Sequence, residues 1–510
     1  MKKKILSAAV LAALGAGTAQ AVNLGNDGTG QVLLFPYYTV QGGEETVLSV
    51  VNTTDYGKAV KIRFREAYNS REVLDFNIFL SPWDVWTGKV QDSGEGGAAI
   101  ISNDKTCTVP LSISEGVAAA FRPFAYDGTA AGEFEDAGPQ GDIGRTNEGY
   151  VEIIEMGVMD PSLDSWVDGI WDNDEDDIPD YLHKDGVPNN CAGISSNYGD
   201  DWSASDELNT EGFSYPMGGM FGSLAIINVQ TGTEISVNAT ALDDVFNSVV
   251  HYSTGSNRPN FNDAKPISSV VRMNNMHPGP ELVTTDFYDG VDAVSSVLMA
   301  DSVMNEYTVN PNVAGETAWV VTFPTKWAYA DLPYDSGTGE YATGMMPFTS
   351  NFNAPKGGEA CEEIGVIAYD REEKGLEAQE VDFSPAPTQP GIFLCYEANV
   401  IQLGDSNVMS AENTVLTYSN LPGKNGWIDL DMTEDDRHYM YGYRHPSYSN
   451  GGPVEAVMPM EEMVTFYGLP AIGFSASVLG NTNVGVGAAY GTSNSHVYHR
   501  TTTTSYISSD

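Results

Sequence analysis

Residues 57–80 read GKAVKIRFREAYNSREVLDFNIFL, and the alternation in this stretch decides the fold class. Val60, Ile62 and Phe64 alternate with Lys61, Arg63 and Arg65. A strict period of two belongs to a strand with one buried and one wet face, the pattern of an antiparallel sheet. Asp55-Tyr56-Gly57 supplies the turn before it. Leu74, Phe76 and Ile78 repeat the alternation, and Pro82 closes that second strand. Short strands with turns at this spacing predict a mainly β protein: antiparallel β-sandwiches of immunoglobulin-like character, with long acidic loops and few helices.

Further strands are expected at 150–156, 223–229, 318–323, 365–369, 392–401 and 463–479. Long Gly/Asp/Pro-rich loops separate them, notably 127–149 and 160–211. Helical spacing is confined to 292–307, where Val294, Val297, Leu298 and Met304 share a face, and to the shorter 241–250. The tail from Ser495, SHVYHRTTTTSYISSD, reads as a frayed end or a strand seeking a partner.

At the N-terminus, Lys2, Lys3 and Lys4 precede an apolar run that closes on Ala19-Gln20-Ala21, the order of a secretory signal. The mature chain is expected to begin at Val22 and to be extracellular, surface-held or periplasmic, exported by the general secretory route. No later run approaches about 18 apolar residues, so no membrane insertion is expected. The remainder is longer than the roughly 250–300 residues one core serves. The expected division is therefore 1–21 signal, 22–240 a β-sandwich domain with an acidic insertion at 160–211, and 241–510 a second β-rich region with one or two helices and a polar tail.

The formal charge of −46 repels phosphate backbones and excludes nucleic acid as a partner. It suits a salty medium and attracts divalent cations. Four cysteines in an exported chain point to two disulfides, with Cys107–Cys191 and Cys361–Cys395 the simplest of three pairings.

QVLLFPYYTV, LSVVNTT, SREVLDFNIFLSPWDVWT, DKTCTVP, EGYVEIIEMG and WVVTFPTK together resemble an uncharacterised family of exported proteobacterial proteins. The resemblance spans most of the mature chain and implies export, but no activity.

Residues 172–186, DNDEDDIPDYLHKDG, hold the densest candidate chemistry. Asp172, Asp174, Asp176 and Asp180 fall at positions one, three, five and nine of a calcium loop, where alternate aspartates turn their oxygens inward. The wording resembles a thrombospondin type-3-like calcium loop. It departs from that pattern at Asp177, where glycine allows the bend, and at His183, where a carboxylate closes the site. The alternatives are a calcium site, completed by Asp200, Asp201, Asp206 or Glu207, and a solvated acidic loop. The basic stretch from Lys58 to Arg71 is either a wet strand face paired with Glu66 and Glu72 or a docking strip for an acidic surface. His496 and His499 could share a metal; no histidine–glutamate zinc motif, nucleophile elbow or phosphate loop is present. Glu152 and Glu155 are candidate carboxylates for glycan hydrolysis by type only, and Trp83 and Trp86 candidate sugar-stacking rings.

These features describe an exported, acidic structural or interaction protein of the cell surface or periplasm, stabilised by calcium where the acidic loop holds the ion. Its partners would be other surface proteins or further copies of itself. The alternatives are a carbohydrate-binding protein and a secreted glycan hydrolase.

Overall fold

A computed structural model of the chain describes residues 20–127, 142–163, 171–172, 178–199, 208–274, 281–332, 334–335, 340–341, 344–353, 359–376, 391–434, 436–444, 462–480 and 489–506. Most of the expected leader, and Asp174, Asp176, Asp200, Asp201, Asp206 and Glu207, lie outside these residues.

The protein is mainly β. A seven-stranded sheet has Gly57–Glu66 near its middle, paired antiparallel with Glu72–Leu80 on one side and Glu148–Met159 on the other. Val60, Ile62 and Phe64 share their face with Phe76 and Ile78, and with Val151 and Ile153. That face packs on Leu48, Val50, Trp86, Leu224 and Ile226 of a six-stranded sheet. In the second sheet, Glu44–Asn52 and Met220–Asn228 alternate buried with more exposed residues, as a one-sided sheet should.

Gly57–Glu66 does not follow that pattern. All ten of its residues are buried, so Lys61, Arg63 and Arg65 are not on a wet face and cannot be a docking strip. The segment 252–259 lies across them and hangs its carbonyls on their charges. Lys61 Nζ donates to Ser253 O (2.8 Å) and Ser256 O (2.9 Å), and Arg63 Nη1 to Pro259 O (2.9 Å). Asn77 Nδ2 adds a bond to Tyr252 O (3.1 Å).

Three two-stranded sheets and three five-stranded ones make up the rest of the described β structure. One, built on Gly315–Thr322, puts Ala318 and Val320 into the core shared with the first sandwich, and Trp319 and Val321 into the other large core. Its Ala398–Leu403 and Val415–Tyr418 strands are parallel, an exception among mainly antiparallel pairs. Each large core thus draws residues from both sides of position 240.

The expected helix at 292–307 is half helix and half strand. Gly290–Leu298 is helical, and Ser302–Thr308 pairs with Asn425–Asp431, burying Val303 and Tyr307. The expected helix at 241–250 is absent: Thr240–Asp243 is a strand, Leu242 facing Val32, and Asp244 leaves it with a positive φ of 54°. The tail is neither frayed nor unpartnered up to Tyr506, because Thr502–Tyr506 pairs with Glu462–Tyr467. Both expected disulfides form. Cys107–Cys191 ties a strand of the first sheet to the helix Cys191–Tyr198, and Cys361–Cys395 joins residues flanking two paired strands. Among the described residues no helix is long and apolar enough to cross a membrane.

Candidate functional site

The charged face of the central sheet is a lattice of ion pairs set by strand register. Glu152, Arg63 and Asp75 stand in one row across three strands, and Tyr150, Arg65 and Glu72 in the next. Lys61 Nζ lies 2.8 Å from Asp75, Arg63 Nε 2.8 Å from Glu72, and Arg65 Nε 2.9 Å from Glu152. At one end of the sheet Lys58 meets Glu155 at 2.6 Å, and near the other Arg145 meets Glu66 at 3.1 Å. Charges taken from water this completely persist only when paired and hydrogen-bonded.

The lattice is not symmetric in its protonation. Burial, helped by the Glu72 carboxylate, pushes Asp75 up to about 7, against the pull of Lys61 and Arg63. Burial likewise lowers Lys61 from its ordinary value, outweighing Asp75. Desolvation therefore wins over a 2.8 Å contact for both partners.

Where the lattice reaches the sheet edge it floors a cleft of about 1000 Å³. Arg65, Glu72 and Asp75 form part of its base. The segment 254–262 contributes Thr254, Asn257 and Asn262; the N-terminus of Gly290–Leu298 contributes Asp289 and Asp292; and Trp327, Phe124, Met345 and Met346 add apolar surface. Arg71 is held by Asp331 (2.8 Å), which also accepts from Asn353 Nδ2 (2.7 Å). Asp292 accepts from Tyr329 Oη (2.7 Å), and burial raises its carboxyl above the ordinary value. The Arg65 guanidinium lies 5.6 Å from the Trp327 ring centre. Phe124 remains 57% exposed, an aromatic ring offered to solvent at the lip of the cleft.

The residues singled out from sequence fall mostly elsewhere. Glu152 and Glu155 are committed to ion pairs, Glu155 also accepting from Gly218 N (2.7 Å), and neither lines the cleft. Trp83 is exposed and Trp86 is core. His496, driven down to about 4 by burial, contacts Val320 O and Asn305, whereas His499 pairs with Asp301, so the two do not share a site. Tyr369 and Trp427 form another exposed aromatic pair, but they stack on each other at 5.4 Å and 22°, each covering a face of its neighbour.

For the acidic loop, the structure places only its ends. Trp171 and Tyr181 are buried in a 90° edge contact, and Asp180 N donates to Trp171 O, so the loop is closed at its base. Asp172 is half-buried and Asp180 fully buried. Among the described residues, one group has metal-ligand proximity, Glu359 with Cys361 and Cys395, and its cysteines are joined to each other rather than offered as thiolates.

Apart from Arg65, Arg71 and Glu72, the cleft residues escaped the sequence reading because the lining comes from six separated segments with no spacing motif. No family model, curated protein or solved structure matches this chain.

Proposed function

We propose that this is an exported envelope or extracellular protein that binds a glycan in the cleft beside the charged sheet face. One observation carries the reading: a cleft of about 1000 Å³ whose lining combines Trp327 and Phe124 with the acceptors Asp289 and Asp292 and the amides Asn257 and Asn262. Sugars present apolar ring faces and polar hydroxyl edges, so their sites pair aromatic planes with carboxylates and amides. An apolar ligand would strip water from the charged floor without replacing its hydrogen bonds.

Export is supported by the leader pattern and by two disulfides, which persist in oxidising compartments. Immunoglobulin-like character belongs to the same proposal, supported by two antiparallel sheets packed face to face. So does calcium at Asp172, Asp174, Asp176 and Asp180, supported by the closed base of that loop.

The test is calorimetric titration of the exported protein with a panel of soluble polysaccharides, repeated with Phe124→Ala and Trp327→Ala. Binding weakened about tenfold or more by either change, with melting of Phe124→Ala unaltered, supports the cleft. No binding to any glycan, or binding indifferent to both changes, removes it.

A further inference from the structure

Three guanidinium groups line the cleft, and they are not equivalent. Arg65 is consumed by Glu152 and Arg71 by Asp331. Among the described residues no carboxylate pairs with Arg122, whose guanidinium lies 6.0 Å from the centre of the Phe124 ring. In a chain with 70 acidic and 24 basic residues, an exposed guanidinium without a carboxylate is out of keeping with its surroundings. The backbone holds it in place. Phe121 N donates to Ala98 O (2.9 Å) and Arg122 N to Val73 O (2.8 Å), while the Phe121 ring packs on Tyr38 and Phe64 in the core. The group is thus fixed at its root, beside an aromatic ring and within a cleft.

Asp289 also lines the cleft. It sits at the N-cap position of Gly290–Leu298, yet its side chain makes no capping bond, and it is exposed. It is free to accept hydroxyl protons, as Arg122 is free to donate to an anion.

We propose that the cleft selects an acidic glycan built on uronic acid units, with Arg122 as the specificity residue that takes the sugar carboxylate. This rests on the glycan reading above. A guanidinium matches a carboxylate through two parallel N–H···O bonds, which a neutral hydroxymethyl group cannot reproduce. Asp289 and Asp292 accept ring hydroxyls, and Phe124 and Trp327 cover ring faces. The negative net charge does not forbid such a ligand. At about 0.5 M salt the Debye length falls to about 4 Å, which screens distant carboxylates while leaving a contact pair intact.

The experiment compares polygalacturonate with the same polymer fully methyl-esterified, which keeps its shape and loses its charge. Both are titrated at 0.5 M salt into wild type, Arg122→Gln and Arg122→Lys. Wild type is expected to bind the acid form at least tenfold more tightly than the ester. Arg122→Gln should bind the acid form no more tightly than it binds the ester, with the melting temperature unchanged, and Arg122→Lys should recover part of the preference. Equal binding of the two polymers by wild type, or an unchanged preference in Arg122→Gln, overturns the specificity while leaving glycan binding standing. Binding of neither polymer, with neutral glycans of the panel still bound, overturns the uronate class alone. Binding of no glycan at all removes both readings.

Discussion

Replacing Lys61 by methionine keeps the length of the side chain and deletes its charge. It leaves Asp75, 7% exposed, without the ammonium 2.8 Å away, and removes one donor each from the carbonyls of Ser253, which still accepts from Ser256 N (3.2 Å), and Ser256. Breaking a buried pair from one side costs about 3–5 kcal/mol, because the remaining charge keeps its desolvation penalty. The carbonyls fall within that range rather than adding to it, since losing a partner costs each about 1–3 kcal/mol only where no water can reach. Denaturant unfolding at pH 8 should therefore show Lys61→Met less stable than wild type by about 3–5 kcal/mol.

The loss must also depend on pH in a definite sense. Asp75 stands near 7 in the folded protein, above its unfolded value of about 3.9. Between those values the folded state holds more protons, so this group's contribution to stability falls as pH rises from about 4 to about 7 and is level above. Without Lys61 the folded value rises further, and the fall extends to higher pH. The gap between variant and wild type should accordingly widen with pH, by up to about 1.4 kcal/mol between pH 5 and pH 8. A gap below about 1 kcal/mol at pH 8, or one that does not move with pH, would refute the reasoning and mean that the face is hydrated.

The two disulfides close sequence separations of 84 and 34 residues, so replacing each pair by serines should cost about 4.5 and about 4 kcal/mol, and thiol labelling of the unreduced, denatured protein should give no signal. Millimolar calcium should raise the melting temperature of wild type, and Asp174→Ala with Asp176→Ala should abolish the rise; an undiminished rise would move the site elsewhere. Truncation after Arg500 removes the strand that pairs with Glu462–Tyr467, so it should lower the melting temperature and promote aggregation in light scattering through the bared edge; unchanged melting and scattering would show the pairing to be dispensable.

Fold class was legible because period two survives any environment. The face assignment at Lys61, Arg63 and Arg65 was not, since alternation says that two faces differ without saying that either is wet. The missing signal was present but dispersed. Arg63 has Asp75 as one cross-strand neighbour and Glu152 as the other, and such complementary rows are visible only once register is known. At 292–307 a helical stripe and a strand alternation run together, and Val303 and Tyr307 fit either reading until Asn425–Asp431 supplies the partner. The tail showed β-forming residues but not its mate, because the paired strands Ile472–Gly480 and Ala489–Ser495 intervene between Glu462–Tyr467 and Thr502–Tyr506. The cleft was illegible for the same reason: Arg65, Arg122, Asp289 and Trp327 are far apart in sequence and line one cavity only in the folded chain.

A sheet face that needs only to be covered is cheaper to build from valine and isoleucine than from ion pairs, and replacing a buried pair by apolar residues is often neutral or stabilising. The opposite face of the same strand, Val60, Ile62 and Phe64, is built that way. Charge is kept on the face whose rows run out into the cleft, where Arg65, Glu72 and Asp75 belong both to the lattice and to the lining. Stability alone does not account for that placement, whereas a ligand that needs fixed polar groups beneath it does. The double variant Lys61→Met with Asp75→Leu separates the two. Removing both partners together leaves no orphaned charge, so it should recover most of the stability lost by Lys61→Met alone. If the lattice serves the cleft, the same variant should still bind a glycan at least tenfold more weakly than wild type. Recovered stability with undiminished binding would assign the lattice to the fold alone.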